Sequence, residues 1–451
     1  MIIIFIPIFF SLLFCIPFLR KKLLFIFLSN LLFLIRFIVL FKFGYNDDWC
    51  IIYGWIGLDN LRFILLLLRF WIFGLIFIVR IVKVNKNIKF YRFLLLILLL
   101  RLIIGFCSIN FFIFYLFFEI RIIPTFLLII GWGYQSERIK ARIFVLIYCI
   151  ASSLPLLLVL YNLFDIYGTL IYELIIYNSS YYNNLIFIFI VLAFLVKTPI
   201  FILHIWLPKA HVEAPIVGSI ILAGVLLKLG GYGLFRSSII IIQRAKEVSD
   251  YLILWTLFGI IILGVSCLRQ IDLKLLVAYS SVVHIGVVLI GCFTLNIWGY
   301  IGGFIIIIGH GLCSSALFVI INYFYEQTHT RRILINKGLI YYTPSLCIWW
   351  FLFCACNIAA PISLNLISEL FIVSGTLIWS TLDILVVVLL FFGIFFSAAY
   401  TLYLYSYVAH GKLIRLLNII YPSNINNYIV LIIHWFPLNF LFLKLEIFIL
   451  Y

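Results

Sequence analysis

The chain has 451 residues, 67% hydrophobic and 10% charged, with a mean hydropathy of +1.30, which excludes an ordinary soluble domain. Its 31 Lys and Arg against 15 Asp and Glu give a formal charge of +16. That balance would suggest nucleic acid in a soluble chain, but several arginines lie inside apolar runs, so no nucleic-acid partner is expected. The composition predicts an all-α polytopic membrane protein, with the lipid bilayer as its surroundings and room for about 13 or 14 spans at roughly 20 residues each. Ten cysteines are scattered, and apart from the close pair Cys354 and Cys356 none has the spacing of a zinc or iron-sulfur site. They are read as small packing residues.

Apolar runs predict helices near 2–19, 23–43, 56–80 and 90–106, with polar breaks at 44–48 and 83–89. The first run ends in Arg20, Lys21 and Lys22 without a small-residue cleavage site and is expected to be retained as a helix. The span near 108–130 carries Glu119 in FYLFFEIRIIPTF. Glutamate has too short a stem to reach the membrane interface, so Glu119 must be paired with a cation or held as the neutral acid. Spans near 142–162 and 184–205 follow, separated by a polar loop with a sequon at Asn178.

The stretch from Lys197 to Arg236 reads KTPIFILHIWLPKAHVEAPIVGSIILAGVLLKLGGYGLFR. Lys197 and Lys228 lie in apolar segments, framing Pro199, Pro208, Pro215, His204, Lys209, His211 and Glu213. A charge at the bilayer centre costs ~2.5 to 3.5 kcal/mol on insertion scales, so each lysine needs a partner or a water path unless it snorkels to an interface. Proline frees backbone carbonyls that membrane protein tolerates only where protein or a hydrated cavity satisfies them. A broken helix around a polar midpoint is the expectation, as in an ion-translocating protein.

Spans near 251–268, 272–293 and 298–324 come next, with His284 and His310 inside the last two. Each histidine can pass a proton or be a neutral ring bonded to a neighbouring helix. The charged connection 325–342 reads as a solvated loop. Between 344 and 379, Asn357, Pro361 and Asn365 interrupt an apolar stretch, and Glu369 lies one turn further on. Each half of the chain thus has an interrupted helix beside an ionisable residue, the pattern of internally repeated transporters with a midplane pathway. Spans near 382–409 and 426–449 complete the chain.

At HVEAPIVGSIILAGVLLKLGGYG the chain resembles the subunit 4 family of mitochondrial NADH:ubiquinone oxidoreductase, respiratory complex I. FFEIRIIP, GWGYQSER, LRQIDLKLLVAYSSVVHIG, GHGLCSSALF, INKGL and NIAAPISLNLISEL carry the likeness from about residue 57 to about 447. The resemblance implies two inverted repeats, expected over 107–240 and 251–409, with discontinuous helices near 199–208 and 357–365. N-terminal helices would occupy 1–106 and a last helix 426–451. It also implies proton translocation across the inner mitochondrial membrane alongside other membrane-arm subunits. Carried over by position, Glu119 and Lys197 match the family's interacting acid and base of the first half-channel, and the two are expected to approach closely, directly or through one water. Lys228 matches its central lysine, His284 and His310 its second-repeat histidines, and Glu369 its exit-side residue. No cofactor is expected on this chain; NADH, FMN, iron-sulfur clusters and ubiquinone would be bound elsewhere in the complex. Alternatives are a freestanding cation/proton antiporter and a structural scaffold.

One methionine in 451 residues and arginines at 62, 69, 121 and 142 depart from the relatives this chain resembles, which usually hold Ser there and Met at many Ile positions. Both shifts share a cause if a mitochondrial gene was translated with AUA as Ile and AGA or AGG as Arg. Arg62, Arg69 and Arg121 are therefore expected not to be functional charges.

Overall fold

The computed structural model describes residues 51–79, 87–133, 137–177, 184–379, 384–412 and 425–448. The expected helices near 2–19 and 23–43, and the sequon at Asn178, lie outside the described residues. A short antiparallel hairpin, β1 (Ile51–Tyr53) with β2 (Ile56–Leu58), precedes the first described helix, α1 (Asn60–Ile78). The span expected to begin near 56 therefore begins later, because the Asp59 carboxylate caps α1 by accepting from the Arg62 backbone N–H at 3.1 Å.

Then come α2 (Ile88–Cys107), α3 (Phe111–Ile120), α4 (Ile122–Trp132), α5 (Arg138–Tyr167) and α6 (Tyr172–Tyr177). Together α3 and α4 form one apolar span, divided at Arg121. Pro124 has no N–H for the Ile120 carbonyl one turn back, and Arg101 Nη1 donates to that oxygen instead, at 2.9 Å.

Helix α7 (Asn184–Lys197) stops eight residues short of the expected end near 205, and the chain resumes as α8 (Trp206–Glu213). After Pro215, α9 (Ile216–Ile221) leads through a π-helical turn at Leu222–Leu226 into α10 (Leu227–Ile240). Four long helices follow in register with the apolar runs: α11 (Ile242–Leu268), α12 (Leu273–Phe293), α13 (Ile297–Thr328) and, beyond the second interruption, α17 (Ile384–Ala409). Short α14 (Leu339–Tyr342), α15 (Pro344–Ile358) and α16 (Leu364–Trp379) lie between α13 and α17, and α18 (Ile425–Phe440) comes last. α11 begins well before 251, its charged first turns being helical too. The connection read as a loop from 325 is helical to Thr328.

Ten described helical segments are long and apolar enough to cross a membrane, and α7, α15 and α16 are shorter apolar helices. α13 is the most enclosed: its whole apolar window is buried, whereas α5 and α17 leave most of theirs exposed. Helices α12 and α16 pack along α13, and α11 and α12 pack along each other. Glycines permit the close approaches. A Cβ at Gly233 of α10 would fall 2.2 Å from the Phe194 ring of α7, and one at Gly302 of α13 would fall 2.8 Å from the Ser368 carbonyl of α16.

The three questioned arginines differ in their surroundings. Arg62 Nε donates to the Tyr232 hydroxyl at 2.7 Å and lies 3.6 Å from Asp59. Arg121 donates to the carbonyls of Phe118 and Leu226 at 2.8 and 3.0 Å, leaving Glu119 to Lys197. Arg69 is fully buried, and among the described residues none of its guanidinium nitrogens has a hydrogen-bond partner; the Phe106 ring faces it, 4.2 Å from centroid to Cζ.

Candidate proton pathway

The first interruption builds a charge pair. Pro199 ends α7, and the segment to Ile205 includes Ile202 in the left-handed region, at φ 77°. Two freed carbonyls find new donors: the Ile200 N–H bonds Leu195 O at 3.2 Å, and the Trp206 indole N–H bonds Val196 O at 2.9 Å. This is the satisfaction that lipid demands of an interrupted helix. Lys197, the last residue of α7, points across to α3, where its Nζ donates to Glu119 Oε1 at 3.1 Å. The lysine side chain is 3% exposed and the carboxylate 20%. The Phe118 ring lies 4.6 Å from the ammonium, adding a cation–π contact.

A second cluster forms at the centre. The π-turn displaces the backbone just before Lys228, whose Nζ donates to Ala223 O at 2.5 Å and lies 3.0 Å from His310 Nδ1. With Lys228 as the ammonium donor, the proton of His310 must reside on Nε2, a nitrogen with no hydrogen-bond partner among the described residues. The rings of His310 and His284 are 5.5 Å apart between centroids, and His284 Nε2 is 3.4 Å from the Tyr400 hydroxyl of α17. Lys228, His284 and His310 are all buried.

The second interruption lies between α15 and α16. Ala359 and Ile362 adopt positive φ, 69° and 71°, and the Cys356 carbonyl at the helix end accepts from the Asn365 side-chain amide at 2.8 Å and from the Ala359 N–H at 3.3 Å. Asn365 also packs where a Cβ at Gly309, next to His310, would otherwise sit. One turn further along α16, Glu369 is buried at 9% exposure. Both expected interruptions and the expected approach of Glu119 to Lys197 are thus present in the geometry. Lys228, His310 and His284 come together, while Glu119 and Lys197 form a separate pair, and Glu369 has no hydrogen bond to either group.

Sequence reasoning missed three parts of this arrangement. Tyr400 was one aromatic among many, and the π-turn has no residue signature beyond Gly224. Lys274, read as part of the polar connection RQIDLK, is buried at 6% exposure. Chemically, the arrangement offers a buried lysine paired with a carboxylate and, separately, a lysine and two imidazoles grouped at the centre.

The transmembrane domain profile shared by NADH:quinone oxidoreductase and Mrp antiporter proteins matches residues 108–397. The amino-terminal profile of NADH-ubiquinone oxidoreductase chain 4 matches residues 1–105. The chain is 44% identical over 421 residues to NADH-ubiquinone oxidoreductase chain 4 of Ceratitis capitata, covering 93% of each. The chain belongs to the NADH-ubiquinone oxidoreductase chain 4 family. The Locusta migratoria protein is 45% identical over 93% of this chain and 94% of its own length, and the Tetraodon nigroviridis protein is 41% identical over 77% and 76%. Among solved structures, a chain of respiratory complex I from Thermus thermophilus superposes with a TM-score of 0.84 at 21% identity, covering 98% of this chain and 99% of that one. A chain of an archaeal membrane-bound sulfane sulfur reductase gives 0.85 at 19% identity, over 98% and 75%. These two likenesses carry the fold. With the family established, the chain is a core proton-translocating membrane-arm subunit of complex I, acting with other membrane-arm subunits. The freestanding antiporter reading gives way to the chain 4 amino-terminal match.

Proposed function

We propose that Glu119, Lys197, Lys228, His284, His310 and Glu369 carry the protons that this subunit translocates, and that the protein does so in the inner mitochondrial membrane, embedded in lipid. The supporting observation is the 3.1 Å pair between Lys197 and Glu119, built at a helix break inside an apolar span. The carboxylate beside Lys197 supplies the counter-charge of its ammonium. When the pair opens, the ammonium loses its counter-charge in a poorly solvated site and gives up the proton toward the axis. Lys228 and His310 receive it 3.0 Å from each other, His284 extends the line toward Tyr400, and Glu369 on α16 delivers the proton to the far side through water. The two interrupted helices would belong to the two antiporter-like repeats, 107–240 and 251–409, each contributing one half of the path. Electron transfer would take place elsewhere in the complex, with the NADH, FMN, iron-sulfur and ubiquinone sites on other subunits. Lys197→Met in the assembled complex, reconstituted in liposomes, tests this reading. NADH oxidation by uncoupled preparations should persist while proton uptake driven by it falls. A variant that pumps as well as the natural protein would leave only a scaffold role.

A further inference from the structure

A third lysine lies within a membrane span. Lys274 is in the first turn of α12, whose Asp272 cap accepts from the Lys274 backbone N–H at 3.0 Å. Its Nζ turns inward to donate to Ala214 O at 2.7 Å and Val212 O at 3.3 Å, and Arg331 Nη1 donates to Val212 O at 2.7 Å. These carbonyls lie where α8 ends before Pro215, which has no N–H to continue the helix. A capping role explains the bonds but not what lies beside them. Lys274, Ser219, Phe318, Asn322 and Arg331 line a cavity of about 20 Å³, space for one water. On Phe318 stacks His211, with centroids 4.7 Å apart and planes 6° apart. His211 is fully buried, and neither ring nitrogen has a hydrogen-bond partner among the described residues. A buried imidazole with both nitrogens unbonded is costly and needs an explanation. His211 lies in electrostatic range of Lys274, Lys228 and His310. The segments around this end of α12 also carry Arg138, Lys140, Arg269, Arg331, Arg332 and Lys337, brought near one another by the contacts that join Gly133 to Glu213, Asp272 to Arg332 and Gly338 to His410. Excess lysine and arginine marks the inner side of a membrane.

We infer that Lys274 and His211 form a lateral proton inlet, running from the cation-rich face through the water-sized cavity to the Lys228 and His310 pair. The Lys274 Nζ–H bond breaks as the cavity water takes the proton. That water protonates one imidazole nitrogen of His211, and the proton on the other nitrogen passes to a discharged Lys228. Lys274 is then reprotonated from the aqueous face. His211 is then neutral as the opposite tautomer and turns its ring over to reset, so charge and protons balance over the cycle. The inlet rests on the proposed role of Lys228 as a proton carrier.

Arginine at 274 separates relay from cap, since guanidinium keeps the charge and the carbonyl bonds but does not deprotonate. In liposomes holding the intact complex, Lys274→Arg and Lys274→Met should both lose NADH-driven proton uptake while uncoupled NADH oxidation continues. Natural pumping by Lys274→Arg would reduce Lys274 to a cap and overturn the inlet. Ser219→Val, which fills the cavity without touching the cap, should also lower uptake and decides alone if the lysine variants fail to assemble; natural pumping by it then overturns the inlet. Lys197→Met in the same assay separates the two readings. If it too pumps normally, the proposed pathway fails; if only the Lys274 and Ser219 variants pump normally, only the inlet fails.

Discussion

Replacing Glu119 with glutamine removes one charge and almost no volume, leaving the Lys197 ammonium 3% exposed beside the Phe118 ring and a neutral amide oxygen in place of the carboxylate. At the observed 3.1 Å, an effective dielectric of about 20 puts the direct interaction near 5 kcal/mol. Removing one member of a buried pair costs about 3 to 5 kcal/mol, and the partial exposure of the carboxylate favours the lower end. A loss of about 3 kcal/mol removes most of the local stabilisation of the buried charge at the first station of the path. The assay is NADH-driven acidification of liposomes containing the assembled Glu119→Gln complex, read beside NADH oxidation in the presence of an uncoupler. The expected result is strongly reduced acidification at preserved uncoupled oxidation, with partial recovery in Glu119→Asp. Full acidification by Glu119→Gln would refute the electrostatic reasoning, because the pair would then be irrelevant to loading.

Trp206→Phe removes the indole donor from Val196 O and should lower the thermal stability of the complex by about 1 to 3 kcal/mol, the cost of a buried unsatisfied carbonyl; an unchanged melting profile would mean that water replaces the indole. Gly233→Ala places a methyl 2.2 Å from the Phe194 ring and should cost about 1 to 3 kcal/mol through overpacking, seen as poorer assembly on native gels. Among the described residues Arg69 has no hydrogen-bond partner for its buried guanidinium, so mass spectrometry of the peptide spanning residues 57 to 71 should find serine rather than arginine at 69. Detection of arginine there would end the genetic-code explanation for that position.

Much of this arrangement was legible in the sequence because membrane energetics narrows the options for a charged residue. Glu119 sat in an apolar run with no route to an interface and Lys197 in another that offered it only a partner, a water path or snorkelling, so pairing was the inexpensive solution, and their separation by 78 positions did not matter. Pro199 and the Asn357, Pro361 and Asn365 group marked the interruptions for the same reason. What was not legible depends on tertiary contact. The division of the span at Arg121 is stabilised by Arg101 from another helix, and the late start of α1 depends on a cap that hydropathy does not register. Lys274 stands among Arg269 and Asp272, where sequence suggests a solvated turn, and only its bonds to Val212 and Ala214 reveal the burial. Tyr400 reaches His284 across 116 positions, a pairing that no periodicity encodes.

The proposal that protons traverse this subunit through a buried lysine axis is tested most directly at Lys228, whose ammonium meets both Ala223 O and His310. The measurement is the number of protons translocated per NADH by the reconstituted complex with Lys228→Met. A ratio clearly below that of the natural complex, at unchanged subunit composition and uncoupled oxidation rate, is the predicted result. An unchanged ratio would contradict it.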